Sequence, residues 1–245
     1  MTFDQQTWEY LQGKKFANRI DVPISYHGPI RNRVEFLSGL AKDKRIVHLG
    51  CLDHMPLIAD KIARGQWLHK ELSAVATECI GIDIDRETMD HVKSKLGFDN
   101  ILLGDFTKIS FPEIKNKSWD YAILGELLEH IDNPVQYLSD IRNNYADCIR
   151  RIVVTVPNAW TQTTMRMASK SVEIINSDHR YWFTPYTLAK VLVQAGMVTE
   201  EMHFTNRVPL SSWELAQKKL YKLAGKEPGY NFTYASSIVA IAKLA

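Results

Sequence analysis

The sequence predicts an α/β fold in which a mostly parallel sheet is covered by helices on both faces. Short runs rich in β-branched residues alternate with amphipathic stretches of helical period, which is typical of strands joined by crossover helices. Five candidate strands follow one another at 45–49, 78–83, 100–103, 120–124 and 151–156. The fifth, RIVVTV, is apolar enough to be central in the sheet.

Two helices between the strands have clear sequence signals. The stretch 184–196 repeats apolar residues at helical spacing, and Thr184 suits its N-cap, Pro185 its first position and Gly196 the residue beyond its last turn. The stretch 87–97 also places apolar side chains on one face and ends in glycine. We therefore expect a helix in each.

The two ends of the chain complete the predicted domain. A further strand is expected near 199–205, then a helix at 211–225, and the last strand, 236–244, is expected to pair antiparallel at the sheet edge. Residues 1–40 precede the first strand, and we expect them to form an N-terminal helical cap over the site. Residues 41–245 would then form the main domain.

Composition narrows the class of protein. The chain has 245 residues and 45% hydrophobic content, enough for one sizeable domain. Its net charge of +2 comes from mixed signs without a basic block, so nucleic acid is not an expected partner. Three scattered cysteines favour a reducing compartment over disulfides. A polar amino terminus and the absence of about 18 consecutive apolar residues predict a cytoplasmic protein.

The turn after the first strand is a candidate ligand site. In an open parallel sheet, ligands bind beyond the carboxyl ends of the strands, beside the turn from the first strand into its helix. Here Gly50 allows a close backbone approach, and Asp53 can meet a cationic group or cap the next helix. A lone glycine after a strand is also common in ordinary turns, so this signal is weak by itself.

The next two strands also end in residues that suit a nucleoside. Asp83 can accept hydrogen bonds from ribose hydroxyls, although it could instead cap the following helix, a role that Asp85 can also fill. Asp105 and Phe106 could hold an adenine by its amino edge and its face. Together these positions favour an adenosine-containing ligand.

The segment GELLEHIDNP places acids and an imidazole after the apolar fourth strand. If a helix starts near Gly125, then Glu126, Glu129 and His130 point the same way. Such a group is costly without a cation to share. A second histidine, His179, precedes the helix after the fifth strand, and the carboxyl end of that strand faces the same edge.

The motifs VHLGC, GIDID, LLGDF, WDYAILGELLEHIDNP, VTVPN and HRYWFTPYTLAKVLVQAGM together resemble the class I S-adenosylmethionine-dependent methyltransferases, across most of residues 40–245. The resemblance implies a Rossmann-like, seven-stranded sheet with an antiparallel last strand. It also implies S-adenosylmethionine as cofactor. The cofactor contacts expected from it are Gly50, Cys51, Asp53, Asp83, Ile84, Asp105, Phe106 and Gly125.

The first loop departs from the family pattern. Leu52 and His54 stand where further glycines are usual, and the segment before Asp83 is longer than usual. His54 and Trp67 in this extra length would either close over the cofactor or pack, and packing is the favoured reading for Trp67.

Glu126, Glu129, His130 and His179 resemble the E-x-x-E-H…H pattern of small-RNA terminal 2′-O-methyltransferases and of ubiquinone-pathway O-methyltransferases. The resemblance implies a divalent cation, Mg²⁺, Mn²⁺, Fe²⁺ or Zn²⁺, which would hold two oxygens of a diol or catechol. The alternative reading has no metal. Glu126 then caps a helix, Glu129 is solvated, and His130 or His179 takes the proton.

These residues predict an O-methyltransferase that acts on a small-molecule hydroxyl, such as a sugar or a capsule precursor. The catalytic candidates are Glu126, His130 and His179, and the long connection 157–178 is the expected lid over the acceptor. The alternatives are a methyltransferase for the terminal ribose of RNA and a non-catalytic partner protein of this fold. A nicotinamide oxidoreductase would need a fuller glycine-rich turn.

Overall fold

The computed structural model describes residues 1–26, 28–209 and 232–244, and it contains one seven-stranded sheet. The strand order is β3-β2-β1-β4-β5-β7-β6. The strands are Arg45–Leu49, Glu78–Asp83, Ile101–Leu103, Trp119–Gly125, Ile149–Pro157, Val198–Arg207 and Ala235–Lys243, numbered β1 to β7 in chain order. All pairs are parallel except those of β7, which runs antiparallel to both β5 and β6. The predicted mostly parallel sheet with an antiparallel last strand is confirmed.

The expected position of the last strand was wrong. β7 lies between β5 and β6, so β6 forms the edge of the sheet. All six side chains from Ser237 to Ala242 are buried, on both faces of the strand. A strand that is apolar on both faces and paired on both sides belongs in the interior of a sheet.

Nine α-helices surround the sheet in the described part of the chain. They are Gln5–Leu11, Arg33–Ala41, Met55–Ala63, Leu68–Val75, Arg86–Leu96, Pro112–Lys115, Pro134–Tyr145, Gln162–Ala168 and Pro185–Gln194, numbered α1 to α9. α5 and α9 are the two helices predicted above. Thr184 caps α9 through a reciprocal pair of hydrogen bonds with Thr187. The helix expected at 211–225 lies outside the described residues.

The sheet separates two apolar cores because successive side chains of a strand point to opposite faces. On β4, Leu124 belongs to the larger cluster and Ile123 to the smaller one. α7 and α9 cover the larger cluster, while α2 and α4 cover the smaller one through residues such as Leu37 and Leu72. Helices therefore cover both faces, as predicted.

The amino-terminal segment is attached at the β6 side of the sheet. The Met1 ammonium donates to the carbonyl of Met202 at 2.7 Å, and Lys190 of α9 donates to the carbonyls of Tyr10 and Leu11. At the start of α2, Arg33 reaches the cavity described below. None of the helices in the described part of the chain combines the length and apolarity that a bilayer crossing requires.

Candidate active site

A cavity of about 970 Å³ opens at the carboxyl ends of β1 to β4. Its position agrees with the rule that ligands of open parallel sheets bind beyond these strand ends. The turns after all four strands line it, and so do parts of α7, Arg33 of α2 and Ser237 of β7. The cofactor and metal candidates named from the sequence all lie along this wall.

The turn after β1 is built around Gly50. Its φ of 65° lies in the left-handed region, and a Cβ on this residue would lie 2.9 Å from Cδ1 of Leu127. Cys51 follows, with its side chain only 2% exposed and its carbonyl accepting from the Trp67 indole at 3.2 Å. Trp67 is fully buried, which confirms the prediction that it packs in the protein interior. Asp53 forms an ion pair with Lys61 of α3.

Asp83, at the end of β2, ties the first two turns together. One of its carboxylate oxygens accepts from the Leu52 amide at 2.9 Å, and the other accepts from the amides of Ile84 and Asp85. Burial raises the pKa of Asp83. Asp85, and not Asp83, caps α5 by accepting from the Thr88 amide. Ile84 is 75% exposed beside Asp83 and offers an apolar surface to the cavity.

The third turn is arranged differently from the expectation for an adenine site. Asp105 accepts from the amide and hydroxyl of Thr107 and forms an ion pair with Lys108 at 3.0 Å. Phe106 is 3% exposed and stacks on Tyr145, with ring centroids 3.9 Å apart. Phe106 therefore packs mainly in the core at the rim of the cavity, and little of its ring can face a ligand.

No helix starts near Gly125, so that expectation was wrong. β4 runs through Gly125, and the Glu126 amide still donates to the Thr155 carbonyl of β5. Glu126 then has a φ of 58°, and a 3₁₀ turn follows at Leu128–His130. Continued pairing with β5 delays the helix, which begins only at α7. The reading of Glu126 as a helix cap is therefore also wrong.

The Glu126 carboxylate is held by residues from distant parts of the chain. One oxygen accepts from the Ser237 hydroxyl at 2.8 Å, and the other lies 3.4 Å from Nη2 of Arg33. The guanidinium of Arg33 also lies 3.4 Å from the Thr155 hydroxyl. Glu126 therefore lines the cavity as part of this network.

Glu129, His130 and His179 form a compact group beside that network. One nitrogen or oxygen of each lies within 4.8 Å of the others. The Glu129 side chain is fully buried and neither of its oxygens accepts a hydrogen bond, so the reading of a solvated Glu129 is wrong. Burial, and next the nearby charge of Glu126, raise the pKa of Glu129 to about 8.

The two histidines of this group face each other edge to face. Their ring centroids are 4.7 Å apart, and Nε2 of His179 lies 3.9 Å from Oε1 of Glu129. Burial, and next the neighbouring His130, lower the pKa of His179. Nδ1 of His130 lies 3.2 Å from the carbonyl of Asp178, which can only accept. The hydrogen of a neutral His130 is therefore on Nδ1, and Nε2 carries the lone pair.

Several residues of the cavity have no local signal in the sequence. Arg33 and Ser237 join Glu126 from opposite ends of the chain, and Leu127 fills the space over Gly50. His48 is buried under the site, and its Nδ1 lies 3.4 Å from Nδ1 of His69. Predicting that these residues belong to the site would have required the order of the strands in the sheet.

Comparisons with known proteins agree with this architecture. No curated protein sequence matches the chain. Two solved structures described as SAM-dependent methyltransferases are similar: one from Archaeoglobus fulgidus (18% identity, 86% of this chain and 94% of that chain, TM-score 0.50) and one from Thermotoga maritima (15%, 86% and 87%, 0.54). The small RNA methyltransferase HEN1 is also similar (16%, 93% of this chain and 27% of that chain, 0.51).

The shared fold is accompanied by a match at the level of the sequence family. The methyltransferase domain family matches residues 25–201, which include β1 to β5 and every site residue predicted from the sequence, while Ser237 lies beyond the match. The turns that form the main cavity all lie within this match. The chain therefore belongs to the methyltransferase domain family and is an enzyme that transfers methyl groups.

Proposed function

We propose that this enzyme uses S-adenosylmethionine to methylate a hydroxyl of a small molecule, with a divalent cation held by Glu129, His130 and His179. The single observation that carries the proposal is the Glu129 carboxylate, which is buried and has no hydrogen-bond partner beside two histidines. A buried acid without a partner is costly, and a bound cation would remove that cost.

The residues around the first turn fit the donor. Gly50 leaves a space that a side chain would fill, because its Cβ would approach Leu127 to 2.9 Å. Asp83 places a half-buried carboxylate at the end of β2, where a ribose is expected in this fold. The donor, when bound, supplies a methyl group on a positively charged sulfur, so the protein mainly has to align the acceptor with it.

The charge of the cavity supports a cationic donor. Acidic side chains predominate along the wall, and each lysine or arginine that lines it in the described ranges is paired with a carboxylate: Arg33 with Glu126, Lys61 with Asp53 and Lys108 with Asp105. A wall of this kind attracts a sulfonium and repels a polyanion.

The metal part of the proposal uses the oxygen and nitrogen donors of the compact group. Carboxylate oxygens and neutral imidazole nitrogens suit Mg²⁺, Mn²⁺, Fe²⁺ or Zn²⁺. A divalent cation, when bound, lowers the pKa of an alcohol in contact with it. Glu126 would join these ligands only by leaving Arg33 and Ser237. Without a cation, Nε2 of His130 would act as the general base and take the proton from the substrate hydroxyl.

Three measurements test this function. Calorimetry should detect binding of S-adenosylhomocysteine and no binding of NAD, since the turn after β1 lacks the fuller glycine-rich pattern that a nicotinamide cofactor needs. Methyl transfer to catechol should be supported by Mn²⁺ and abolished by EDTA.

Glu129→Gln should lower the rate of methyl transfer at least about 100-fold while leaving the affinity for S-adenosylhomocysteine unchanged. Glu113→Gln is the matched control, because Glu113 is exposed.

The outcomes separate the parts of the proposal. Failure to bind S-adenosylhomocysteine even at millimolar concentration would favour the non-catalytic reading. If EDTA has no effect on methyl transfer, the proposed role of a divalent cation is wrong, and proton removal is assigned to His130. Loss of activity in Glu113→Gln as large as in Glu129→Gln would contradict the special role of the buried acid.

The terminal ribose of RNA is the second candidate acceptor. It also carries a vicinal diol, which suits the Glu129, His130 and His179 group. The paired cations of the cavity argue against it, since an RNA chain needs free basic groups along its backbone. RNA binding that weakens steeply with salt, together with methylation of the oligonucleotide in preference to catechol, would favour this candidate.

A further inference from the structure

A second cavity, of about 410 Å³, adjoins the main one on the side of the connection between β5 and α9. Pro157, Asn176, His179 and Ser236 line both cavities, so the two spaces meet at the histidine of the proposed metal site. The volume lies within the range of about 300–1,000 Å³ that is typical of small-molecule pockets. It is therefore large enough for a substituent on a molecule that reacts beside His179.

The walls of this second cavity are uncharged. Among the described residues, no lysine, arginine, aspartate or glutamate lines it. Its lining includes the apolar side chains of Ile174, Ile175, Trp182 and Val208. Ile174 and Ile175 are 47% and 44% exposed, so their side chains are available to a ligand.

Several polar groups of the same walls are engaged within the protein. The Trp182 indole donates to Glu173 at 3.0 Å. The Thr161 hydroxyl accepts from the Thr164 amide at the start of α8, and the Thr164 hydroxyl donates to the Ala159 carbonyl at 2.7 Å. A ligand in this space would therefore contact mainly the aliphatic side chains and the Trp182 ring, and few free hydrogen-bond donors.

We propose that the second cavity binds an uncharged apolar substituent of the acceptor, an aryl or branched alkyl group, while the acceptor hydroxyl lies beside Glu129, His130 and His179. This inference rests on the proposed function and narrows its acceptor class. A phosphorylated sugar or a nucleotide would place a charge against walls without a counter-charge, at a large desolvation cost. An apolar substituent would gain affinity by leaving water.

Three probes test the inference by binding alone, in the presence of saturating S-adenosylhomocysteine and Mn²⁺. They are catechol, tert-butylcatechol and catechol sulfonate. The tert-butyl compound should bind at least about tenfold more tightly than catechol, because four additional carbons are buried. The sulfonate should bind more weakly than catechol. Preference for the sulfonate, or equal binding of catechol and tert-butylcatechol, would overturn the inference.

A pair of matched variants locates the effect. Ile175→Asp places a charge in the second cavity and should reduce the tert-butyl preference to less than about threefold. Val172→Asp is the control, since Val172 is equally exposed at 44% but does not line that cavity. It should keep the full preference. Equal loss of preference in both variants would overturn the assignment to this cavity.

Methyl transfer to the same probes separates the inference from the function on which it rests. If tert-butylcatechol is preferred in an Ile175-dependent way but neither catechol is methylated, the proposed O-methylation fails while the apolar site stands. If both catechols are methylated equally well and bind equally well, the function stands and the apolar site fails. Absence of binding by both, up to about 10 mM, would overturn the apolar site.

Discussion

Gly50 shows how one residue can form part of a ligand site without a side chain. Its φ of 65° costs a residue with a Cβ about 1–2 kcal/mol, and the added Cβ would also press on Leu127. We predict that Gly50→Ala lowers the free energy of unfolding by about 1–3 kcal/mol. It should also weaken S-adenosylhomocysteine binding at least about tenfold, because Leu127 must move into the cavity. Urea unfolding and calorimetry measure the two effects.

Gly97 provides a matched control for this prediction. It ends α5 with a φ of 73°, but a Cβ there would meet nothing within 4 Å. Gly97→Ala should therefore lose about 1 kcal/mol of stability from the backbone alone and keep its affinity for S-adenosylhomocysteine. Equal losses of affinity in the two variants would show that the contact with Leu127 is not the reason why Gly50→Ala weakens binding.

At individual positions, the sequence was informative wherever the chemistry is local. The division of roles between Asp83 and Asp85 follows from adjacent amides, and the packing of Trp67 follows from its size and apolarity. The network around Glu126 could not be predicted in this way. Its partners Arg33 and Ser237 come from other elements, and their contact depends on the order of strands in the sheet.

At the scale of elements, the periodicity of apolar residues predicts all seven strands. The order of the strands in the sheet, and the point where β4 ends, depend on strand pairing, which periodicity does not show. β7 shows the limit: its apolar run predicts a strand, but its place between β5 and β6 depends on which neighbours bury its two faces. The 3₁₀ turn after β4 shows the same limit. The spacing of Glu126, Glu129 and His130 fits a helix, but pairing of the strand with β5 continues past Gly125.

The contact between β1 and α4 contains a buried histidine pair that makes stability depend on pH. Burial lowers the pKa of His69 to about 4 from an ordinary value of 6.5, and burial together with His69 lowers the pKa of His48. Between pH 6.5 and about pH 4, His69 is protonated in the unfolded chain but neutral in the folded protein. The free energy of unfolding therefore falls as the pH decreases through this range. Above pH 7 both states are neutral and the pair has no effect on the slope.

We predict that His69→Gln removes the part of this dependence that comes from His69, while buried His48 keeps its own part. Between pH 7 and pH 4 the free energy of unfolding of the wild type should fall by about 3 kcal/mol more than that of the variant. Urea unfolding at several pH values measures the difference, and the range from pH 7 to pH 8 serves as an internal control in which it should stay constant. Parallel curves down to pH 4 would contradict the assignment to His69.

At the scale of the whole molecule, the sheet brings the site together from residues 33 to 237. Parallel strands direct the carboxyl ends of β1 to β4 to one edge, and the antiparallel β7 brings its amino-terminal end to the same edge, where Ser237 lies opposite Pro157 of β5. This reversal is why a serine close to the chain terminus contacts Glu126. The same edge holds both cavities, with His179 between them.

The sheet also separates the two apolar cores, and their independence can be measured. Leu72 belongs to the smaller cluster and Leu188 to the larger one, and both are fully buried. Each Leu→Ala change should cost about 2–5 kcal/mol of unfolding free energy. Because the sheet lies between them, we predict that the double variant loses the sum of the two costs within about 0.5 kcal/mol.

A second pair on one face is the control for additivity. Leu188 and Leu192 lie one turn apart on α9 and share the larger cluster. Their double variant should depart from the sum by about 0.5–3 kcal/mol, because the two cavities merge or relax together. Urea unfolding of all the variants at one pH provides the comparison. If Leu72 and Leu188 were coupled as strongly as this pair, strain would have to pass through the sheet, and the two faces would behave as one core.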